Sequence, residues 1–109
     1  MASSKDSIVT DLQRYILELR KNGFPVQKVL LFGSWAKGTA GDESDIDVAL
    51  ISKSFSGDRF EDRRKIVPLR RIINNNIEPI PFTPHDFEMG GNLVEEIIQH
   101  SEEILISDQ

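Results

Sequence analysis

The apolar run Val29-Leu30-Leu31-Phe32 stops at Gly33-Ser34, and after ten further residues the chain carries Asp45-Ile46-Asp47 at the head of a second apolar run. A short apolar segment bounded by turn residues reads as a buried strand, which predicts strands over 27–32 and 45–51. Side chains alternate along a strand with period two, so Asp45 and Asp47 project to one face while Ile46, Val48 and Leu50 project to the other. Glycine permits a sharp turn and leaves room for a ligand to approach the main chain. Ser34 adds a hydroxyl, and 34–37 is predicted as the first turn of a short helix whose free N–H groups favour an anion. Gly38, Thr39, Ala40 and Gly41 supply a flexible return. The arrangement suits a phosphate at Gly33 and Ser34 and a cation at the two acids.

Other phosphate and metal motifs are excluded on specific positions. A Walker A loop needs Lys and then Ser or Thr after its second glycine, whereas Gly38 is followed by Thr39 and Ala40. The G-x-G-x-x-G dinucleotide fingerprint is absent. An EF-hand starting at Asp45 would need Gly and Glu where Leu50 and Ser56 stand. The plain alternative is a pair of solvated acids at a strand entrance, but the coupling to Gly-Ser at this spacing argues against it.

Gly33-Ser34-Trp35-Ala36-Lys37-Gly38 followed by Ser44-Asp45-Ile46-Asp47-Val48 resembles the signature of the DNA polymerase beta-type nucleotidyltransferase superfamily. More narrowly, it is similar to the minimal nucleotidyltransferases of MntA-like antitoxins in MNT/HEPN toxin-antitoxin pairs. The resemblance implies a compact mixed-sheet α/β (α+β) fold, polymerase beta-like, formed by a single domain over 1–109. It implies that Gly33 and Ser34 hold nucleotide phosphates, with Lys37 offsetting their charge, and that Asp45 and Asp47 ligate magnesium, with two ions expected. It also implies a third carboxylate on a later strand, for which Glu78 in Ile77-Glu78-Pro79-Ile80-Pro81-Phe82 is the match, to complete the coordination or accept the proton of the attacking hydroxyl. Many relatives carry Asp at this point, and the prolines mark an edge or irregular strand. The implied reaction is transfer of a nucleoside monophosphate from an NTP, with ATP as donor, to an acceptor hydroxyl, releasing pyrophosphate. For MntA-like proteins the acceptor is a cognate HEPN toxin.

Composition bounds the rest. The chain has 109 residues, no cysteine and a formal net charge of -5. That length suffices for one core but leaves no room for a separate acceptor domain. A thiolate metal site and a disulfide framework are excluded. The first seven residues lack the apolar core of a signal peptide, and no apolar run reaches the length of a spanning helix, so a cytoplasmic location without membrane contact is expected.

Ile8, Leu12, Tyr15, Ile16 and Leu19 repeat at helical spacing up to a stop at Gly23, which makes Tyr15 a core residue. A second helix is predicted over 59–75, with Phe60, Ile66, Val67, Leu69, Ile72 and Ile73 as its apolar positions and Pro68 bending or dividing it. Gly90-Gly91 breaks a short helix, a last helix covers 93–99, and Ile104-Leu105-Ile106 is predicted as a final strand. Arg59, Arg63, Arg64, Lys65, Arg70 and Arg71 make the second helix basic, either as a solvated face or as a face for an acidic partner or nucleic acid. An acidic chain with no extended basic region argues against nucleic acid as the main polymer substrate. His85 and His100 stand alone and read as surface or capping residues, and Trp35 as packing.

Two further readings stay open. One is nucleotidylation of a small hydroxylated molecule, such as an aminoglycoside, in a groove built by a homo-oligomer. The other is a non-enzymatic antitoxin that blocks its partner by occlusion.

Overall fold

In the computed structural model, which describes residues 4–41 and 43–106, the elements follow the sequence pattern closely. The first helix, α1 (Lys5–Lys21), starts where the Ser4 hydroxyl accepts from the Ser7 N–H at 3.1 Å and ends at Asn22, one residue before Gly23 turns with φ +90°. Its stripe Ile8, Leu12, Tyr15, Ile16 and Leu19 is buried, as the spacing predicts. β1 (Lys28–Leu31) and β2 (Ile46–Ile51) form an antiparallel pair, with the short α2 (Ser34–Lys37) between them.

Pro68 divides the second helical segment. α3 (Arg59–Ile66) gives way to a 3₁₀ turn over Val67–Arg70, because proline cannot donate to the preceding turn of an α-helix. The chain then enters β3 (Ile77–Phe82), which lies parallel to β2. α4 (Pro84–Met89) is capped by the Thr83 hydroxyl and stopped by Gly90, and α5 (Asn92–His100) follows Gly91.

The final strand differs from expectation. β4 is Glu102–Glu103, pairing with Leu31 and Leu30 in antiparallel register, and the apolar residues predicted to form it lie beyond it. Ile104 donates its N–H to the Val29 carbonyl and is buried in the core, so its hydrophobicity reports packing after the ladder ends.

The four-stranded sheet has the order β3-β2-β1-β4. Ile46, Val48 and Leu50 pack with α1, Trp35 and Ile66 in the main core. On the opposite face Ala49, Ile51 and Phe82 meet Val94 and Ile97 of α5, with Phe87 of α4 alongside. α4 and α5 thus cover part of the second face. Phe60 and Ile72, expected as apolar packing positions, are 75% and 69% exposed. Both stand on the outer side of a segment anchored by Ile66, with Leu69 and Ile73 partly buried.

β3 forms one edge of the sheet. At the two ends of its pairing with β2, the carbonyls of Asn76 and Phe82 accept from the N–H groups of Ile46 and Ser52. By alternation the polar groups of Ile77, Pro79 and Pro81 face the free edge, and two of these three residues carry no N–H. Among the described residues no helix is long and apolar enough to cross a membrane.

Candidate active site

Gly33, Ser34, Asp45 and Asp47 come together at one end of the sheet because β1 and β2 run antiparallel with Leu31 opposite Val48. The Phe32 N–H donates to the Asp47 carbonyl at 2.9 Å, which carries the pairing to the first residue before the turn. Gly33 then takes φ +73°, a region open to glycine at little cost. A β-carbon there would overlap Oδ2 of Asp47 and lie 3.2 Å from its Cγ. The turn and the second acid are therefore in direct contact.

α2 spans the 34–37 turn expected from the sequence, with the Lys37 N–H donating to the Gly33 carbonyl at 3.1 Å. Ser34 is half-buried and Lys37 is exposed. Trp35 packs into the main core, and its indole N–H is buried without a partner among the described residues.

Asp45 is exposed and Asp47 half-buried. Among the described residues neither carboxylate enters an ion pair or a side-chain hydrogen bond. Partial burial raises the pKa of Asp47 above the ordinary carboxylate value, and the negative charges of Asp45, Glu78 and Glu96 push it further the same way. β2 begins at Ile46, so Asp45 stands just before the strand expected to start with it, and Asp47 is its second residue. Two open carboxylates this close, under mutual repulsion, are a hard-oxygen donor set suited to a divalent cation. Such an ion, when bound, would supply electrostatic stabilisation to a triphosphate.

Glu78 lies opposite Asp47 in the parallel register of β2 and β3, and so on the same face. Its surroundings differ from those of the other two acids. Arg70 Nη1 donates to Glu78 Oε1 at 3.1 Å, and Arg63 Nη2 to Oε2 at 3.4 Å. The same guanidinium groups reach the free edge of β3, where Arg70 Nη1 donates to the Ile77 carbonyl at 2.6 Å and Arg63 to the Pro79 carbonyl. Among the described residues no three acid, histidine or cysteine side chains converge on one metal position.

Sequence reading missed three charged groups around these acids. Arg63 and Arg70, part of a basic face in the sequence, fold inward onto β3. Glu96, on α5, adds its field at Asp47. Their proximity depends on how α3 and α5 dock, and no local motif announces it. His85 and His100 are exposed, as expected.

Comparisons with known proteins identify the family and the fold. A family model described as nucleotidyltransferase domain matches residues 12–104. MJ1305 of Methanocaldococcus jannaschii, named as a candidate protein adenylyltransferase, is 36% identical over 77 residues, which cover 64% of this chain and 50% of that protein. The aligned region thus spans about half the length of this curated relative. The fold resembles a candidate nucleotidyltransferase from Sulfolobus solfataricus, with TM-score 0.63 and 21% identity over 91% of this chain and 80% of that one. It also resembles a chain of a toxin-antitoxin complex solved with AMP-PNP, with TM-score 0.53 and 17% identity over 97% and 76%. A further likeness is to an MntA-HpeT toxin-antitoxin variant in which two aspartates, two positions apart, are replaced by glutamate, with TM-score 0.52 and 16% identity over the same shares. With the family model covering most of its length, the chain belongs to the nucleotidyltransferase domain family.

Proposed function

We propose that this nucleotidyltransferase moves AMP from ATP to a hydroxyl of a partner protein, releasing pyrophosphate, and that the partner is a HEPN-type toxin. The observation that carries the reading is the contact between Gly33 and Asp47, which sets a glycine turn suited to phosphate against a carboxylate suited to the accompanying cation. Gly33 and Ser34 bind the phosphates, Lys37 offsets their charge, and Asp45 and Asp47 hold magnesium, with Glu78 as the third acid of the site. The residues supplied by this chain orient the triphosphate, which is the larger part of the work in phosphoryl and nucleotidyl transfer.

The protein acceptor is supported by the name of the Methanocaldococcus jannaschii relative. The toxin partner is supported by the toxin-antitoxin neighbours, one of them solved with AMP-PNP. ATP as donor accords with the cytoplasmic location expected from the sequence.

The test is transfer of label from alpha-labelled ATP, with magnesium, to a co-expressed HEPN partner, comparing wild type with Asp45→Asn/Asp47→Asn. A labelled partner band that disappears in the variant supports the reading. Label in a small molecule would replace the acceptor, and neutralisation of the toxin without any acid-dependent label would leave a binding antitoxin.

A further inference from the structure

We propose that Arg63 and Arg70 keep Glu78 out of the coordination sphere of the cation, so that of the three acids only Asp45 and Asp47 hold it. Glu78 then acts on the site through its charge and fixed position. This rests on the reading of the site as a metal-nucleotide centre.

Asp47 and Glu78 leave the sheet from paired positions on one face, yet their carboxylates are committed in opposite directions. Asp47 leans over β1, where its Oδ2 fills the space a side chain on Gly33 would need. Glu78 is held from the other side by α3 and the 3₁₀ turn, with each oxygen facing a separate guanidinium. Neither arginine is a loose surface group that happens to reach the acid. Each is fixed by a second bond to a carbonyl of the free edge, one on either side of Glu78 in sequence, at Ile77 and Pro79.

Those carbonyls face away from β2 and need a partner, so the sheet edge itself specifies where both guanidinium groups sit. The half-burial of all three side chains strengthens the pairing relative to a fully solvated one. Among the described residues the three acids do not converge on one metal position, so to become a ligand Glu78 would have to turn away from the guanidinium groups that hold it. Among the described residues, Asp45 and Asp47 have no such bond to give up. The arginines are positioning residues, since they act on the cation site through Glu78.

Manganese binding by the full chain, read by electron paramagnetic resonance, tests the assignment. Glu78→Gln is expected to leave the Mn²⁺ Kd within about twofold of wild type, while Asp47→Asn weakens it at least about tenfold. Arg63→Gln/Arg70→Gln frees Glu78 and is expected to tighten Mn²⁺ binding severalfold, a gain that Glu78→Gln on the same background removes. Weakening by Glu78→Gln alone to the extent seen for Asp47→Asn would overturn the proposal.

The clamp is also tested without metal. Urea unfolding of Glu78→Gln, Arg70→Gln and the pair is expected to show strong non-additivity, and additive losses would overturn the proposal. A wild type that takes up no Mn²⁺ would sink the metal-nucleotide reading instead, and the unfolding cycle would still decide the clamp.

Discussion

The carboxylate of Asp47 occupies the space that a side chain on Gly33 would fill. The turn and the acid are thus two parts of one construction, and a change at either is felt at both.

Gly33→Ala combines a strained φ of +73° with that overlap. It is expected to destabilise the fold by about 1–3 kcal/mol and to displace Asp47. Urea unfolding and the label-transfer assay check the two effects separately: Gly23→Ala, at φ +90° with nothing within 4 Å of an added β-carbon, is expected to show strain alone and to retain transfer.

Asp47→Asn is expected to raise stability at neutral pH while abolishing transfer. The folded-state pKa of Asp47 is raised by partial burial, then by Asp45, Glu78 and Glu96. A carboxyl with a raised folded pKa favours the fold when protonated, and this contribution is lost as pH rises through the folded value. Removing the charge should therefore raise Tm at pH 7. The gain should vanish below the ordinary carboxylate pKa, where wild-type Asp47 is already neutral. Thermal unfolding from pH 3 to 7 checks the sign; a loss at neutral pH would contradict it.

The loop between β2 and α3 depends on Asp62. This buried carboxylate accepts from the Ser56 N–H and hydroxyl and from the Gly57 N–H, at 2.9–3.3 Å. Asp62→Ala leaves those donors without their acceptor and is expected to cost about 2–4 kcal/mol. Hydrogen exchange should show lost protection at the Ser56 and Gly57 amides before the core responds.

Tyr15 spans from α1 to the end of α3, donating its hydroxyl to the Ile66 carbonyl at 2.7 Å inside the core, and burial raises its pKa above the ordinary phenol value. Tyr15→Phe keeps the ring and removes the bond, with an expected cost of about 1–2 kcal/mol by urea unfolding. Transfer should be retained, because the lost bond is to the Ile66 carbonyl and not to a side chain of the site.

Much of this was legible because local periodicity and turn chemistry agree with the fold. The alternation of Ile46, Val48 and Leu50 against Asp47 and Ala49 specified both faces of β2, and Pro68 marked where α3 stops. What stayed hidden was determined by docking between distant segments. Phe60 reads as a packing residue until α3 is rotated onto Ile66. Arg63 and Arg70 read as solvated charges until the edge of β3 supplies carbonyls for them. Ile104 is as buried as a strand residue, but only the register of Glu102 and Glu103 shows that the ladder has ended.

The proline-bearing strand β3 carries a consequence for assembly. A neighbouring protein that tried to extend the sheet from this side would find missing donors at Pro79 and Pro81, and acceptors at Ile77 and Pro79 already engaged by arginine. Backbone-to-backbone recruitment, the least selective way for one protein to seize another, is blocked along this margin. A partner approaching there has to be recognised by its side chains.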